Sequence, residues 1–377
     1  MNACVHYTLT SAFSQKAPPK ICRQKMRRIK QIEKTNGLSV MNVMFGTVKF
    51  WFRNSRWVAL PQSLMPSVVA VALAVQRPGF SVLLSLPAVV GVCMAHLSLN
   101  LFDDYFDYKR NKPGIRDTLA RAGIRARTGK CEYLVSGEAT TGQLLAAALA
   151  FGAVTGLCGI AIFVFRGWPV LWFAIAAIFL GLSYSGGPLR LSYRGMGELT
   201  IGLMFGPMLV VGVYFSACGE FGAKAALIGL TLGLLVTNIL YTHSAVDLDA
   251  DRSVGKKTLA CMINSHSGIL ACSFIFTFLP CMAVLVGVLC GTLSRWFLLT
   301  LATLPLAVAL AQSVRAFFND PDGPAVRRIW YGSMPRWAEI EAAGIAWFML
   351  RWYLARNLLM AFSFVAVAAA IVEVAQI

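Results

Sequence analysis

The stretch Ile269-Leu-Ala-Cys-Ser-Phe-Ile-Phe-Thr-Phe-Leu-Pro-Cys-Met-Ala-Val-Leu-Val-Gly-Val-Leu-Cys290 carries no charged side chain. As a helix it can cross a hydrocarbon core of roughly 30 Å, which takes about 20 apolar residues. Closed-barrel strands would alternate apolar and polar positions over segments of roughly ten residues. Ala283–Cys290, and likewise Ala366–Val372 near the C-terminus, are instead continuously apolar. Helix is the reading that fits.

Comparable stretches recur on both sides of this one. The expected spans are 57–76, 80–108, 142–164, 168–186, 197–216, 223–248, 266–291, 296–317 and 350–375. Of the 377 residues 57% are hydrophobic and only 14% charged, which leaves too little polar surface to cover a soluble globule of that size. The lipid bilayer is the expected solvent. The expected fold is all-α and polytopic, with about nine transmembrane helices. They form one membrane domain over 57–377, preceded by a basic cytoplasmic N-terminal tail, 1–56.

A formal charge of +17 raises the question of a nucleic-acid partner, and its placement argues against one. Lys and Arg collect in the tail and in the loops after the second, fourth, sixth and eighth spans, with their flanks. Only Arg77, Arg166, Lys224 and Arg295 lie on the other side. This alternation is the positive-inside signature of a chain with its N-terminus in the cytoplasm and its C-terminus outside. The run Lys16–Lys34 reads as a solvated or lipid-touching tail without the apolar core of a secretory signal. Its wealth of bases and near absence of acids would also suit a mitochondrial presequence. The ten cysteines are scattered, with no CxxC or Cys/His metal spacing. Cys158, Cys272, Cys281 and Cys290 fall within apolar spans, where cysteine packs as a small hydrophobe.

The acids are distributed less evenly. Of 17 Asp and Glu, six fall in Asn100-Leu-Phe-Asp-Asp-Tyr-Phe-Asp107 and His243-Ser-Ala-Val-Asp-Leu-Asp-Ala-Asp251, both at cytoplasmic ends of spans. Carboxylates at the edge of hydrocarbon are costly unless paired or bound to a cation. Helical spacing puts Asn100, Asp103 or Asp104, and Asp107 on one face, and His243, Asp247 and Asp251 on another, with Asp249 pointing elsewhere. Like charges so spaced repel, so a positive group belongs between them. Carboxylate and amide oxygens suit Mg²⁺, which binds through one or two carboxylates plus substrate phosphates, and this implies a diphosphate substrate. The competing reading makes the acids interfacial anchors paired with Lys109, Arg110, Arg252, Lys256 and Lys257.

Together the two segments resemble the aspartate-rich motifs of the UbiA-type intramembrane prenyltransferases, over roughly residues 57–375. Within that superfamily the chain is most similar to the 1,4-dihydroxy-2-naphthoate polyprenyltransferases of menaquinone synthesis. The likeness rests on Asp104-Tyr-Phe-Asp-Tyr108, on Gly187-Pro-Leu-Arg-Leu-Ser-Tyr-Arg-Gly-Met-Gly-Glu198 and on Gly255-Lys-Lys-Thr-Leu-Ala260. Two positions depart from the pattern: His243 stands where many relatives have Asn, and Asp103 where the naphthoate enzymes often carry Asn.

The resemblance implies nine helices around a central cavity open toward lipid, with both motifs at its cytoplasmic mouth. It also implies transfer of a polyprenyl group from a polyprenyl diphosphate to an aromatic acceptor. The expected metal ligands are Asn100, Asp103, Asp104, Asp107, Asp247 and Asp251, of which Asp104, Asp107, Asp247 and Asp251 are the expected catalytic set. Arg190, Arg194, Lys256 and Lys257 are candidates for the diphosphate. Tyr105, Tyr184, Tyr193 and Tyr241 are candidates for facing a carbocation or the acceptor ring, against their alternative as interfacial aromatics. The expected location is the bacterial inner membrane, with the active site cytoplasmic. Other acceptors stay open: 4-hydroxybenzoate, homogentisate, a porphyrin-type ring or a lipid. So does another class, a cation-coupled transporter, although both clusters sit at one mouth rather than at the midplane where transporter sites lie. Gly187, Pro188, Gly195 and Gly197 predict a tight loop over the cavity, and 318–347 a cytoplasmic loop with a short interfacial helix.

Overall fold

The computed structural model describes residues 46–110, 115–126 and 131–375. The chain falls into two units, Met1–Asn54 and Ser55–Ile377. In the first, 46–54 are helical, and the rings of Phe50 and Trp51 meet edge to face at 5.0 Å. The basic run Lys16–Lys34 lies outside the described residues.

The second unit runs in order through α1 (Trp57–Ala74), α2 (Val82–Arg110), the short α3 (Ile115–Arg121) and α4 (Glu132–Val135), then α5 (Thr141–Arg166) and α6 (Trp168–Ser185). It continues through α7 (Gly197–Cys218), α8 (Ala223–Val246), the short α9 (Leu248–Ser253) and α10 (Leu259–Ile263), α11 (His266–Leu289), α12 (Arg295–Asn319), the short α13 (Trp337–Ala342) and α14 (Ala346–Ala375). Nine of these, among the described residues, are long and apolar enough to cross a membrane. They coincide with the nine expected spans, and no strand is present among the described residues.

Local chemistry fixes the ends. Thr140 and Gln143 form a reciprocal capping box that starts α5. Gly167, with φ +71, separates α5 from α6, and a proline in the first turn then restarts the helix. Lys109 and Arg110 close α2, where cations complement the helix dipole. The expected loop 318–347 contains α13, and its turn is tied to α14 by Arg356, which donates to the Ser333 carbonyl at 2.7 Å, and by Asn357, which donates to the Tyr331 carbonyl at 2.8 Å.

Apolar attraction does not drive helices together in lipid, so close packing depends on small residues. Along α7 and α8, Gly202 and Gly206 face Gly229 and Gly233, and a Cβ placed on Gly206 would lie 2.2 Å from the Gly233 Cα. The chain widens beside this contact into a π-helical turn, Met204–Met208, at Gly206 and Pro207. α8 is thus enclosed within the bundle, while α5 and α6 leave Leu157, Val164, Phe165 and Trp172 largely exposed, as a lipid-facing surface would.

Candidate active site

The last turns of α2 carry Asn100, Asp103, Asp104 and Asp107, and Asp104 and Asp107 are buried. Arg56, in a left-handed backbone conformation just before α1, reaches both Asp103, at 3.0 Å, and Asp104. Burial alone would lower its pKa, yet Asp104 and Asp103 hold the guanidinium charged, well above its ordinary value. Three hydroxyls also donate to these acids: Ser185 to Asp103 at 2.5 Å, Tyr133 to Asp104 at 3.0 Å and Tyr193 to Asp107 at 2.8 Å. Burial and the neighbouring Asp104 push the Tyr133 phenol up, so it stays a donor. Asn100 spends its amide hydrogen on the Ser55 carbonyl at 2.9 Å, which leaves its Oδ1 as the atom that can meet a cation.

The second cluster differs from its expected single helix. α8 stops at Val246, and Asp247, at φ −100 and ψ 19, lies between α8 and α9. The backbone bonds nonetheless continue across the break, Asp247 N to His243 O at 3.1 Å and Asp251 N to Asp247 O at 3.0 Å. His243, Asp247 and Asp251 therefore stay stacked, while Asp249 is exposed as expected. Arg116 of α3 donates from separate nitrogens to Asp247 and Asp251, both buried. His243 Nε2 stands 3.8 Å from Asp247. Burial raises the Asp247 carboxyl, but the His243 contact and the Arg116 charge outweigh it and bring the pKa to about 2.

A connecting loop ties the clusters to one end of the bundle. Tyr193 in the loop after α6 bonds to Asp107; two residues on, Gly195 N donates to Lys257 O at 2.6 Å; and Lys256 N donates to Asp251 O at 2.9 Å. Gly195 suits that position, because its φ is +76 and a Cβ would displace the Met262 side chain. Glu198, buried at the start of α7, accepts from Ser244 Oγ at 2.6 Å and from Leu259 N at 3.1 Å, fastening α8 to the lysine-bearing loop.

Three of the five bases expected as anchors are engaged elsewhere. Lys109 donates to Tyr105 Oη at 2.6 Å, Arg110 lies 4.4 Å over the Tyr193 ring, and Arg252 donates to Asn264 Oδ1 at 2.5 Å. Arg190, Arg194 and Lys257 are exposed, Lys256 and Tyr184 half-buried. Tyr241 departs from expectation: its ring is fully buried and its hydroxyl donates to the Ile269 carbonyl at 3.0 Å, a packing role. Arg56, Arg116, Tyr133 and Ser185 escaped the sequence reading. In sequence Arg56 belongs to the basic tail and Arg116 to a basic loop, and nothing in Ile115-Arg-Asp-Thr-Leu-Ala-Arg121 distinguishes the arginine that folds back.

Nine helices long and apolar enough to cross a membrane, among the described residues, with two buried carboxylate pairs at one end define an integral membrane protein with its acids gathered at that end. The profile of the UbiA prenyltransferase family matches residues 63–337, and the chain belongs to that family. It is an enzyme of prenyl transfer, which sets the transporter alternative aside. The chain is 26% identical over 269 residues to the 1,4-dihydroxy-2-naphthoate octaprenyltransferase of Bacillus subtilis, covering 69% of this chain and 79% of that one. It is 28% identical over 269 residues to the 2-carboxy-1,4-naphthoquinone phytyltransferase of a Synechocystis strain, covering 70% and 81%. Its fold matches a UbiA homologue from Archaeoglobus fulgidus, solved bound to GPP and Mg²⁺, with a TM-score of 0.52 at 14% identity over 84% of this chain and 99% of that one.

Proposed function

We propose that the protein transfers a polyprenyl group from an isoprenoid diphosphate to 1,4-dihydroxy-2-naphthoate in menaquinone synthesis, with Mg²⁺ as cofactor. The observation that carries this reading is the carboxylate pair Asp103 and Asp104 on α2 and the buried pair Asp247 and Asp251 after α8, each spanned by one guanidinium and joined through the loop after α6, where Tyr193 meets Asp107 and Gly195 meets Lys257. The relatives named for naphthoate-type acceptors support the acceptor. The archaeal homologue bound to GPP and Mg²⁺ supports the donor class and the metal.

The donor set fits a hard divalent cation. Among the described residues no three His, Cys, Asp or Glu converge to hold a metal unaided, but Mg²⁺ usually binds through one or two carboxylates and completes its shell with water and substrate phosphate. Asn100, Asp103, Asp104 and Asp107 would serve one side, and Asp247 and Asp251 the other. When bound, such cations neutralise charge on the diphosphate leaving group. Lys256, Lys257, Arg190 and Arg194 lie on the two loops that meet at Gly195 and add charge-assisted hydrogen bonds to the same group. Tyr184, half-buried near the end of α6, is the aromatic candidate to face an allylic cation, because the Tyr193 ring is buried and covered by Arg110. The surrounding helices keep water from that cation. The positive-inside pattern supports a cytoplasmic N-terminus and site in a bacterial inner membrane.

The experiment is an assay of the purified protein in lipid with a polyprenyl diphosphate, Mg²⁺ and a panel of aromatic acceptors, read by mass spectrometry with and without EDTA. Prenylated naphthoquinol that disappears with EDTA is the expected product. Product with 4-hydroxybenzoate or homogentisate alone would replace the acceptor, and product unaffected by chelation would remove the metal.

A further inference from the structure

Arg116 donates to Asp247 from one terminal nitrogen and to Asp251 from the other. The two carboxylates are almost inaccessible, 0% and 3% exposed as side chains, against 15% for the guanidinium. Arg56 likewise bridges Asp103 and Asp104, though from a single terminal nitrogen and at a more open site. Two independent segments of the chain thus each bring one arginine to one acid pair, although lysines and arginines closer in sequence to both pairs are engaged elsewhere.

We infer that Arg116 is a built-in counter-cation that competes with divalent metal for Asp247 and Asp251, so that the protein sets its own metal affinity through a residue that does not ligate the metal. The inference rests on the metal reading above. A guanidinium hydrogen bonds along the lone pairs that a hard cation would use. A guanidinium held against the same two oxygens as a divalent ion would face it as a like charge at close range, where partial burial weakens screening. The arginine also keeps two buried carboxylates from repelling one another when no metal is bound. The acid pair therefore stays assembled without metal, at the cost of weaker metal binding.

The test titrates Mn²⁺, a paramagnetic stand-in for Mg²⁺, into the full-length chain in lipid nanodiscs with no diphosphate present, reading free Mn²⁺ by electron paramagnetic resonance. Arg116→Gln is expected to tighten Mn²⁺ binding about tenfold, the scale on which groups around a metal site change affinity, while the exposed control Arg252→Gln leaves it unchanged. Equal or weaker Mn²⁺ binding by folded Arg116→Gln overturns the inference. If that variant does not fold, Arg116→Lys keeps the charge but loses the two-carboxylate fork: binding tighter than wild type supports the inference, and equal or weaker binding overturns it. Asp251→Asn separates the two claims. Loss of Mn²⁺ binding there, with none gained in Arg116→Gln, defeats only the counter-cation, whereas Mn²⁺ binding indifferent to Asp251→Asn defeats the metal reading as well.

Discussion

Tyr193 donates its phenolic hydrogen bond to Asp107 across 2.8 Å, joining the loop after α6 to the last turn of α2. The ring lies under Arg110 at 4.4 Å, so it is held on both its polar and its aromatic side. Tyr193→Phe keeps the ring and deletes the bond. A hydrogen bond to a charged acceptor contributes about 1.5–3 kcal/mol, so kcat/KM for the donor is expected to fall roughly tenfold to a hundredfold. Steady-state rates against donor concentration measure it. Wild-type kinetics would mean that Asp107 is oriented by other contacts.

Asp104→Asn and Asp251→Asn preserve side-chain shape while removing charge from each pair. Both are expected to reduce turnover by more than about a hundredfold, since each deletes a charge that would help to hold the leaving group. Insertion into the membrane should persist, because no apolar span is touched. Single-turnover assays on protein recovered from the membrane fraction check both halves. If either variant instead vanished from that fraction, the acids would be structural anchors.

Asp247 makes a pH prediction with a definite sign. Its folded pKa of about 2 lies below the ordinary carboxylate value of about 3.9, held there against burial by His243 and Arg116. A depressed carboxylate stabilises the fold above its unfolded pKa and loses that contribution as pH falls through the folded one. The pair is therefore expected to hold unchanged from pH 7 to about 4 and to weaken only between about 4 and 2. Thermal melts across pH, wild type against Asp247→Asn, read this directly. A stability loss near pH 6 that disappears in Asp247→Asn would contradict it.

The spans, the two acid clusters and their shared end were legible because hydrocarbon imposes a period and a length, and because acids at its edge are too costly to be incidental. What sequence could not supply is which bases answer them. Lys109 and Arg110 lie close to Asp107 in the chain, yet Arg56 and Arg116 fold in from segments whose charge reads only as topology. Chain proximity is a poor guide there, because helices place at one end residues far apart in sequence. Tyr241 went the other way. It has the position of a site aromatic, but its face of α8 turns to α11, where a carbonyl takes its hydroxyl.

Glu198 predicts a split between variants. Its carboxylate accepts from Ser244 on α8 and from the Leu259 backbone, and so fixes the loop that carries Lys256 and Lys257. Glu198→Ala strands the Leu259 N–H, at about 1–3 kcal/mol, while Ser244 keeps the Tyr241 carbonyl at 3.2 Å, and the variant is expected to raise the donor KM more than it lowers kcat. Glu198→Gln keeps an acceptor oxygen and should recover a good part of the loss. Equal damage from both would make the charge, rather than the fastening, the function of this residue.

Gly206→Ala tests whether the α7–α8 contact positions the chemistry. The added methyl would meet backbone on every side, 2.2 Å from Gly233 Cα, 2.6 Å from Gly233 N and 2.7 Å from Gly229 O. Backbone cannot swing aside as a flexible side chain can, so the helices must part, at about 1–3 kcal/mol for an overpacked contact. Glu198 lies in the first turn of α7 and α8 ends beside Asp247, so parting them also moves the fastening and the second acid pair. Gly156→Ala on the exposed side of α5 has open space around it and should be neutral or slightly stabilising, because alanine suits a helix better than glycine. Thermal melts and prenyl-transfer rates of the two variants, side by side, check it: a lower melting temperature and lost activity for Gly206→Ala alone is the expected result. Normal activity in a destabilised Gly206→Ala would mean that the contact holds the bundle together without setting the site.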